Sequence, residues 1–104
     1  MALKEEKFVK KFVFLAYGYE KPTKEIMSAW SKWFASIGDR IVDSGNPFGP
    51  GREITSTGTK RLPQDKNALT GYLIINADSI DEAEEIAKGC PIITSVRVYE
   101  AMSM

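Results

Sequence analysis

Two strand-length segments of this chain are apolar on both of their alternating side-chain sets, and a sheet built around them needs cover on both faces. The first runs from Phe12 to Gly18, with Phe12, Phe14 and Ala16 on one set and Val13, Leu15 and Tyr17 on the other. The second runs from Leu69 to Ala77 and lacks a polar side over most of its length. Both are expected at the centre of a sheet, and the rest of the chain has to supply what covers them.

Two helices are available. Pro22 punctuates the chain after the first strand, Thr23 is a good N-cap, and Glu25 places an anion in the first turn where the helix dipole favours it. The apolar residues Ile26, Trp30, Trp33, Ile37 and Ile41 then follow at helical spacing. That pattern predicts one long helix ending before Gly45. Ser79 and Glu82 have the spacing of a capping box and open the second helix; Ala83, Ile86, Ala87 and Cys90 form its apolar side, and Pro91 ends it.

Between these landmarks, Gly45-Asn46-Pro47-Phe48-Gly49-Pro50-Gly51 is too rich in Gly and Pro for a regular element and predicts a structured loop. Arg52 to Thr57 and Thr59 to Leu62 flank Gly58 and are largely polar, as an edge strand or bent hairpin would be. A turn over Pro63 to Asn67 leads into the second apolar strand. Finally, Ser95 to Ala101 alternates Val96 and Val98 with Arg97 and Tyr99, a half-buried strand.

The element order is thus β-α-β-β-α-β. This is an α+β domain of the ferredoxin-like type, a four-stranded antiparallel sheet with strands one and three central and both helices on one face. No third helix remains for the other face. A second copy of the same sheet is the economical cover, so the chain is expected to act as a homodimer.

At 104 residues the chain is expected to form a single domain over 1–104, with its core about 11–101. Lys plus Arg and Asp plus Glu number 14 each, which leaves no electrostatic footprint for a phosphate backbone. Lys60-Arg61 with nearby Lys66 is interrupted by Asp65 and has no interleaved aromatics. No nucleic-acid partner is expected. The run after Lys10-Lys11 is too short for a signal sequence and no apolar stretch nears membrane-spanning length, so the expectation is no membrane association and a cytoplasmic location.

The chain has no histidine and one cysteine, Cys90. That removes the usual general base near neutral pH and the commonest transition-metal ligand. No metal and no cofactor are expected, Ser-His and Cys-His catalysis are excluded, and Cys90, ahead of Pro91, is expected to be buried rather than reactive.

The candidate binding residues come from the same patterns. Trp30 and Trp33 lie in the apolar stripe of the first helix, where they are expected to fill the core between helix and sheet; the alternative is that one ring walls a ligand cleft with its indole N–H as a donor. Asn46 sits in a loop whose backbone Pro and Gly hold, although Asn before Pro is also ordinary turn chemistry. Arg97 and Tyr99 share one face of the last strand, and Tyr17 and Tyr72 extend a polar-aromatic lining on the central strands. Asp39 and Asp43, four apart, are expected on a solvated helix face, with Asp43 the one candidate acid or base should it be buried.

Several segments in order carry a family resemblance: Trp30-Ser31-Lys32-Trp33-Phe34, Gly38-Asp39, residues 42–49, Leu69-Thr70-Gly71-Tyr72, residues 77–83, Lys88-Gly89-Cys90-Pro91 and Val96-Arg97-Val98-Tyr99-Glu100. Over roughly residues 11–101 the chain resembles the YCII-related proteins. The resemblance implies the dimeric α/β-barrel superfamily, in which two ferredoxin-like protomers pack sheet to sheet. Some relatives carry a histidine near an acidic residue in a cleft and are thought to be enzymes; that feature has no counterpart here, and the Asp-Gly-Pro-Phe motif of another branch is also missing. The expectation is a homodimer that binds a small molecule between the first helix, the Asn46 loop and the sheet. A cofactor-independent isomerase, lyase or oxygenase in the same pocket and a protein-interaction or regulatory module are the alternatives.

Overall fold

The computed structural model describes residues 9–103. Along the chain it contains β1 (Lys10–Tyr17), α1 (Lys24–Ser36), a 3-10 turn (Gly38–Arg40), β2 (Ile41–Asp43), β3 (Gly51–Thr55), β4 (Gly58–Leu62), β5 (Leu69–Ala77), α2 (Ile80–Ala87) and β6 (Ser95–Ala101). Four strands form an antiparallel sheet in the order β2-β5-β1-β6, with the two apolar segments at its centre. Apart from the β3–β4 hairpin, which forms its own two-stranded sheet, this is the expected ferredoxin-like βαββαβ arrangement.

Register decides what each face carries. Phe12 lies opposite Ile75 and Phe14 opposite Leu73, while Phe14 also faces Val98 across the other edge of β1. Side chains directly opposite share a face, so this row points to the helices. It joins Trp33, Ile37, Ala83, Ala87 and Cys90 in one core in which Phe12 and Ile75 are fully enclosed. The alternate row, Val13, Leu15, Ile74 and Tyr72, lies on the opposite face, which neither helix covers, and remains half-buried; Tyr99 beside it is 54% exposed.

The second strand of the sheet departs from the sequence expectation. It is Ile41–Asp43, and not the polar stretch after the Gly/Pro loop. Helix α1 stops at Ser36, and Ile37 leaves helical geometry at φ −115, ψ 15 ahead of the 3-10 turn. Ile41 fits the helical spacing because its side chain still reaches the same core, but from a strand paired with Ile75. Asp39 and Asp43 consequently do not share a helix face: one is in the turn and the other in β2. The hairpin β3–β4 is exposed along almost its whole length, with Ile54 76% exposed, so no core strand was hidden in it.

Both predicted helix starts have the expected chemistry. The Thr23 hydroxyl accepts the Ile26 N–H at 3.1 Å, and the Ser79 hydroxyl accepts the Glu82 N–H at 3.1 Å. The Glu82 carboxylate returns a bond at 2.7 Å to the Asp78 N–H, one residue before the cap, and its other oxygen meets the Arg40 guanidinium at 2.9 Å. That half-buried ion pair ties the 3-10 turn to α2 and adds little stability by itself.

Gly45 is where the chain leaves β2 and turns under the sheet. Its φ is +72, and a Cβ there would stand 1.6 Å from the Tyr72 carbonyl oxygen, a backbone atom that cannot step aside. Gly45→Ala is therefore expected to destabilise the fold by at least about 2 kcal/mol, combining left-handed strain with the displacement of β5. Urea unfolding followed by tryptophan fluorescence checks this, and a midpoint within error of the parent would contradict it.

Candidate functional site

The space between α1 and the sheet is a cleft of about 680 Å³. Phe14 and Ala16 of β1 with Gly71 and Leu73 of β5 provide its floor, and Ile26 and Trp30 of α1 its roof. Its sides are the loop 44–48 and the segment 91–93 that follows α2. Bulky aromatics on α1 set the spacing: Trp30 meets Trp33 edge-on at 5.7 Å and 82°, and both lie against Phe34 at 5.8 and 5.6 Å.

The two tryptophans have separate jobs. Trp33 is 6% exposed, packs against Phe14 at 6.3 Å and donates its indole N–H to the Ile86 carbonyl at 3.2 Å. Its one donor is used inside the core, joining α1 to α2. Trp30 is half-buried, lines the cleft, and makes no side-chain hydrogen bond among the described residues. Its donor remains available to something in the cleft.

The Asn46 loop is held at both ends. The Gly45 N–H donates to Asp43 Oδ1 at 2.8 Å, Pro47 bridges to Gly71, and the Phe48 N–H donates to the Thr70 carbonyl at 2.8 Å. The Phe48 ring stacks on Tyr72 at 5.6 Å and 18°. Asn46 is thereby pinned at the cleft wall between fixed neighbours, exposed, and its side-chain amide has no partner among the described residues. Opposite it, the Thr94 N–H donates to the Tyr17 carbonyl at 3.1 Å and the Thr94 hydroxyl bonds the Lys66 carbonyl, which fixes the 91–94 wall to the end of β1.

Of the residues singled out in the sequence, Trp30, Trp33, Asn46, Tyr17 and Tyr72 all border this cleft. Arg97 and Tyr99 do not. They stand on the uncovered face of β6, where the Arg97 guanidinium lies 4.6 Å from the centre of the Tyr17 ring. One-residue alternation along β6 sends Val96 and Val98 to the helix side and Arg97 to the opposite face.

Asp43 is exposed and outside the cleft lining; its Oδ2 accepts the Tyr72 hydroxyl at 3.3 Å while Oδ1 holds the loop. One oxygen serves the turn and the other a strand side chain. Among the described residues no group of three or more His, Cys, Asp or Glu is arranged to hold a metal ion, and no helix is long and apolar enough to cross a membrane.

Sequence patterning did not find Phe34, Phe48 and the Ile92-Ile93 wall. The last of these had a signal: two adjacent isoleucines in a stretch with neither helix nor strand pattern, left 49% and 41% exposed beside the cleft.

The fold and the cleft together define an α+β protein of ferredoxin-like topology with an aromatic small-molecule-sized cavity on its helical side. The YCII-related domain matches residues 10–104, and the chain belongs to that family. No curated protein matches the sequence.

Cys90 borders the cleft and is 7% exposed. Burial raises its thiol pKa from the ordinary 9.0 to about 11, so the native state holds the proton more tightly than the unfolded chain does. The resulting stabilisation is intact below pH 9 and is lost as pH rises toward 11. Native protein at pH 8 is expected to react with a disulfide reagent at least tenfold more slowly than urea-unfolded protein. The unfolding free energy should also fall between pH 9 and 11 by more, on the order of 2 kcal/mol, than that of Cys90→Ala. Equal reactivity in the two states would contradict the assignment.

Proposed function

We propose that the protein is a small-molecule-binding homodimer whose ligand site is the cleft between α1, the Asn46 loop and the sheet. The observation that carries the binding reading is the cleft itself. Its volume of about 680 Å³ falls in the usual range for ligand sites, roughly 300–1,000 Å³, and its walls are mainly apolar with a few placed polar groups. Trp30 and Asn46 are those groups, because each presents hydrogen-bonding capacity that the described residues leave unused.

The dimer rests on the uncovered face of the sheet. Val13, Leu15, Ile74 and Tyr72 form a contiguous apolar row on the two central strands, and both helices are committed to the other side. A patch of this kind on a small domain favours association, and the same sheet of a second copy matches it in shape and polarity. Binding is preferred to turnover because Asp43, the one carboxylate with a candidate chemical role, lies outside the cleft and has both oxygens engaged, one by the Gly45 N–H and one by the Tyr72 hydroxyl.

At micromolar concentration the chain is expected to sediment at about twice 11.6 kDa. Val13→Asp should yield monomer or unfolded protein, whereas a charge at exposed Lys32→Glu should leave the dimer unchanged. A stable, ordered monomer of the parent chain would overturn the dimer.

For the cleft, thermal-shift screening of a metabolite panel identifies stabilising compounds. Asn46→Ala is expected to weaken such a compound by about 0.5–1.5 kcal/mol, the net worth of one neutral hydrogen bond, and to leave the sedimentation coefficient unaltered. Affinity that ignores both Asn46→Ala and Trp30→Ala would move the site elsewhere.

A further inference from the structure

The charge and ring content of the cleft select among small molecules, and this step rests on the reading of the cleft as a ligand site. We propose that the ligand is a planar, ring-containing molecule that carries no negative charge.

Eight of the described residues that border the cavity are aromatic, among them Phe14, Trp30, Trp33, Phe34 and Phe48. Rings present flat, polarisable surface with electron-rich faces, which pair well with another ring and with cationic groups. Trp30 is engaged edge-on by Trp33 and remains half-buried, so part of its surface and its N–H are still open to the cleft.

The electrostatics point the same way. Among the described residues no Lys or Arg belongs to the lining, and its only charged residue is Glu20. The Arg97 guanidinium stands over the Tyr17 ring on the other face of the sheet. The N-terminus of α1, which would otherwise attract an anion, already has Glu25 in its first turn and the Ile26 N–H taken by Thr23. A carboxylate or phosphate entering the cleft would lose water, meet π faces and Glu20, and find no countercharge. A neutral ring with one acceptor for the Trp30 N–H or the Asn46 amide avoids the cost of desolvating a charge, and a cationic ring offsets that cost against the π faces and Glu20.

A matched set of probes separates ring recognition from charge: 2-naphthylmethanol, 2-naphthylmethylammonium and 2-naphthoate, titrated into the purified full chain by isothermal calorimetry at pH 7 and low salt. The neutral and cationic probes are expected to bind, with 2-naphthoate at least tenfold weaker. Trp30→Phe, which keeps a ring but removes the donor, should weaken the alcohol by a few-fold, and Trp30→Ala should weaken both binding probes about tenfold or more. Circular dichroism and the sedimentation coefficient verify that each variant is folded.

If 2-naphthoate binds as tightly as the other two and its binding falls in Trp30→Ala, the cleft is a ligand site but the charge class is wrong. Should all three bind without regard to Trp30 or Asn46, the reading of the cleft itself fails. Absence of binding by every probe up to millimolar concentration overturns the ring-recognition proposal.

Discussion

The pairing of β1 with β5 is the interaction on which everything else in this domain depends. Phe12 against Ile75 and Phe14 against Leu73 place four large apolar side chains in one row, and two of them are completely removed from water. Full burial of a side chain of this size contributes roughly 1.5–3 kcal/mol, so a slip of one residue, which would turn the row outward, is strongly opposed. With that register fixed, β6 and β2 have their places at the two edges, and Val98 and Ile41 complete the same row.

The same pairing necessarily creates the opposite row. Strand side chains alternate, and because β1 and β5 are apolar at nearly every position, Val13, Leu15 and Ile74 come to the surface as a consequence of burying Phe12, Phe14, Leu73 and Ile75. The composition of the central strands makes sense for a sheet covered twice. On the helical side, cover is uneven: α2 lies close on the sheet through small residues, Ala83 and Ala87, whereas α1 carries Trp30, Trp33 and Phe34. Large rings cannot bring a helix as near a sheet as alanines can, and the volume that results under α1 is the cleft.

Much of this was legible in the sequence, for reasons that can be named residue by residue. Apolar strands, the caps at Thr23 and Ser79 and the stop at Pro91 are local signals, and local signals survive without knowledge of the fold. The failure at Ile41 has a different origin. An apolar residue four positions after Ile37 satisfies helical spacing, and only the cross-strand partner Ile75 reveals that the chain has already left the helix. Arg97 was misplaced for a related reason: alternation showed which residues share a face, but not which face the helices occupy. The cleft was legible as far as Trp30 and Asn46, whose residue types suit binding. The walls at Phe48 and 91–93 depend on contacts between distant segments, such as the Phe48 N–H with Thr70 and the Thr94 N–H with Tyr17, which no spacing rule encodes.

Tyr17 and Tyr72 connect the two surfaces of the sheet. Both belong to the uncovered row, yet both border the cleft at the end of the strands, where the backbone bends away at Gly18 and the Gly45 turn passes under Tyr72. Tyr72 also carries the Phe48 ring and bonds Asp43, the residue that holds Gly45 and with it Asn46. Tyr72 on the uncovered face is thus joined to the cleft wall through two direct contacts, with no helix intervening. Pairing of two copies through that face, as proposed, would restrict Tyr72 and hence the loop that presents Asn46, so ordering at the interface and preorganisation of the cleft draw on the same few side chains. By linkage the effect is reciprocal: a ligand that binds better to the ordered loop must also favour the paired state, by the same free energy.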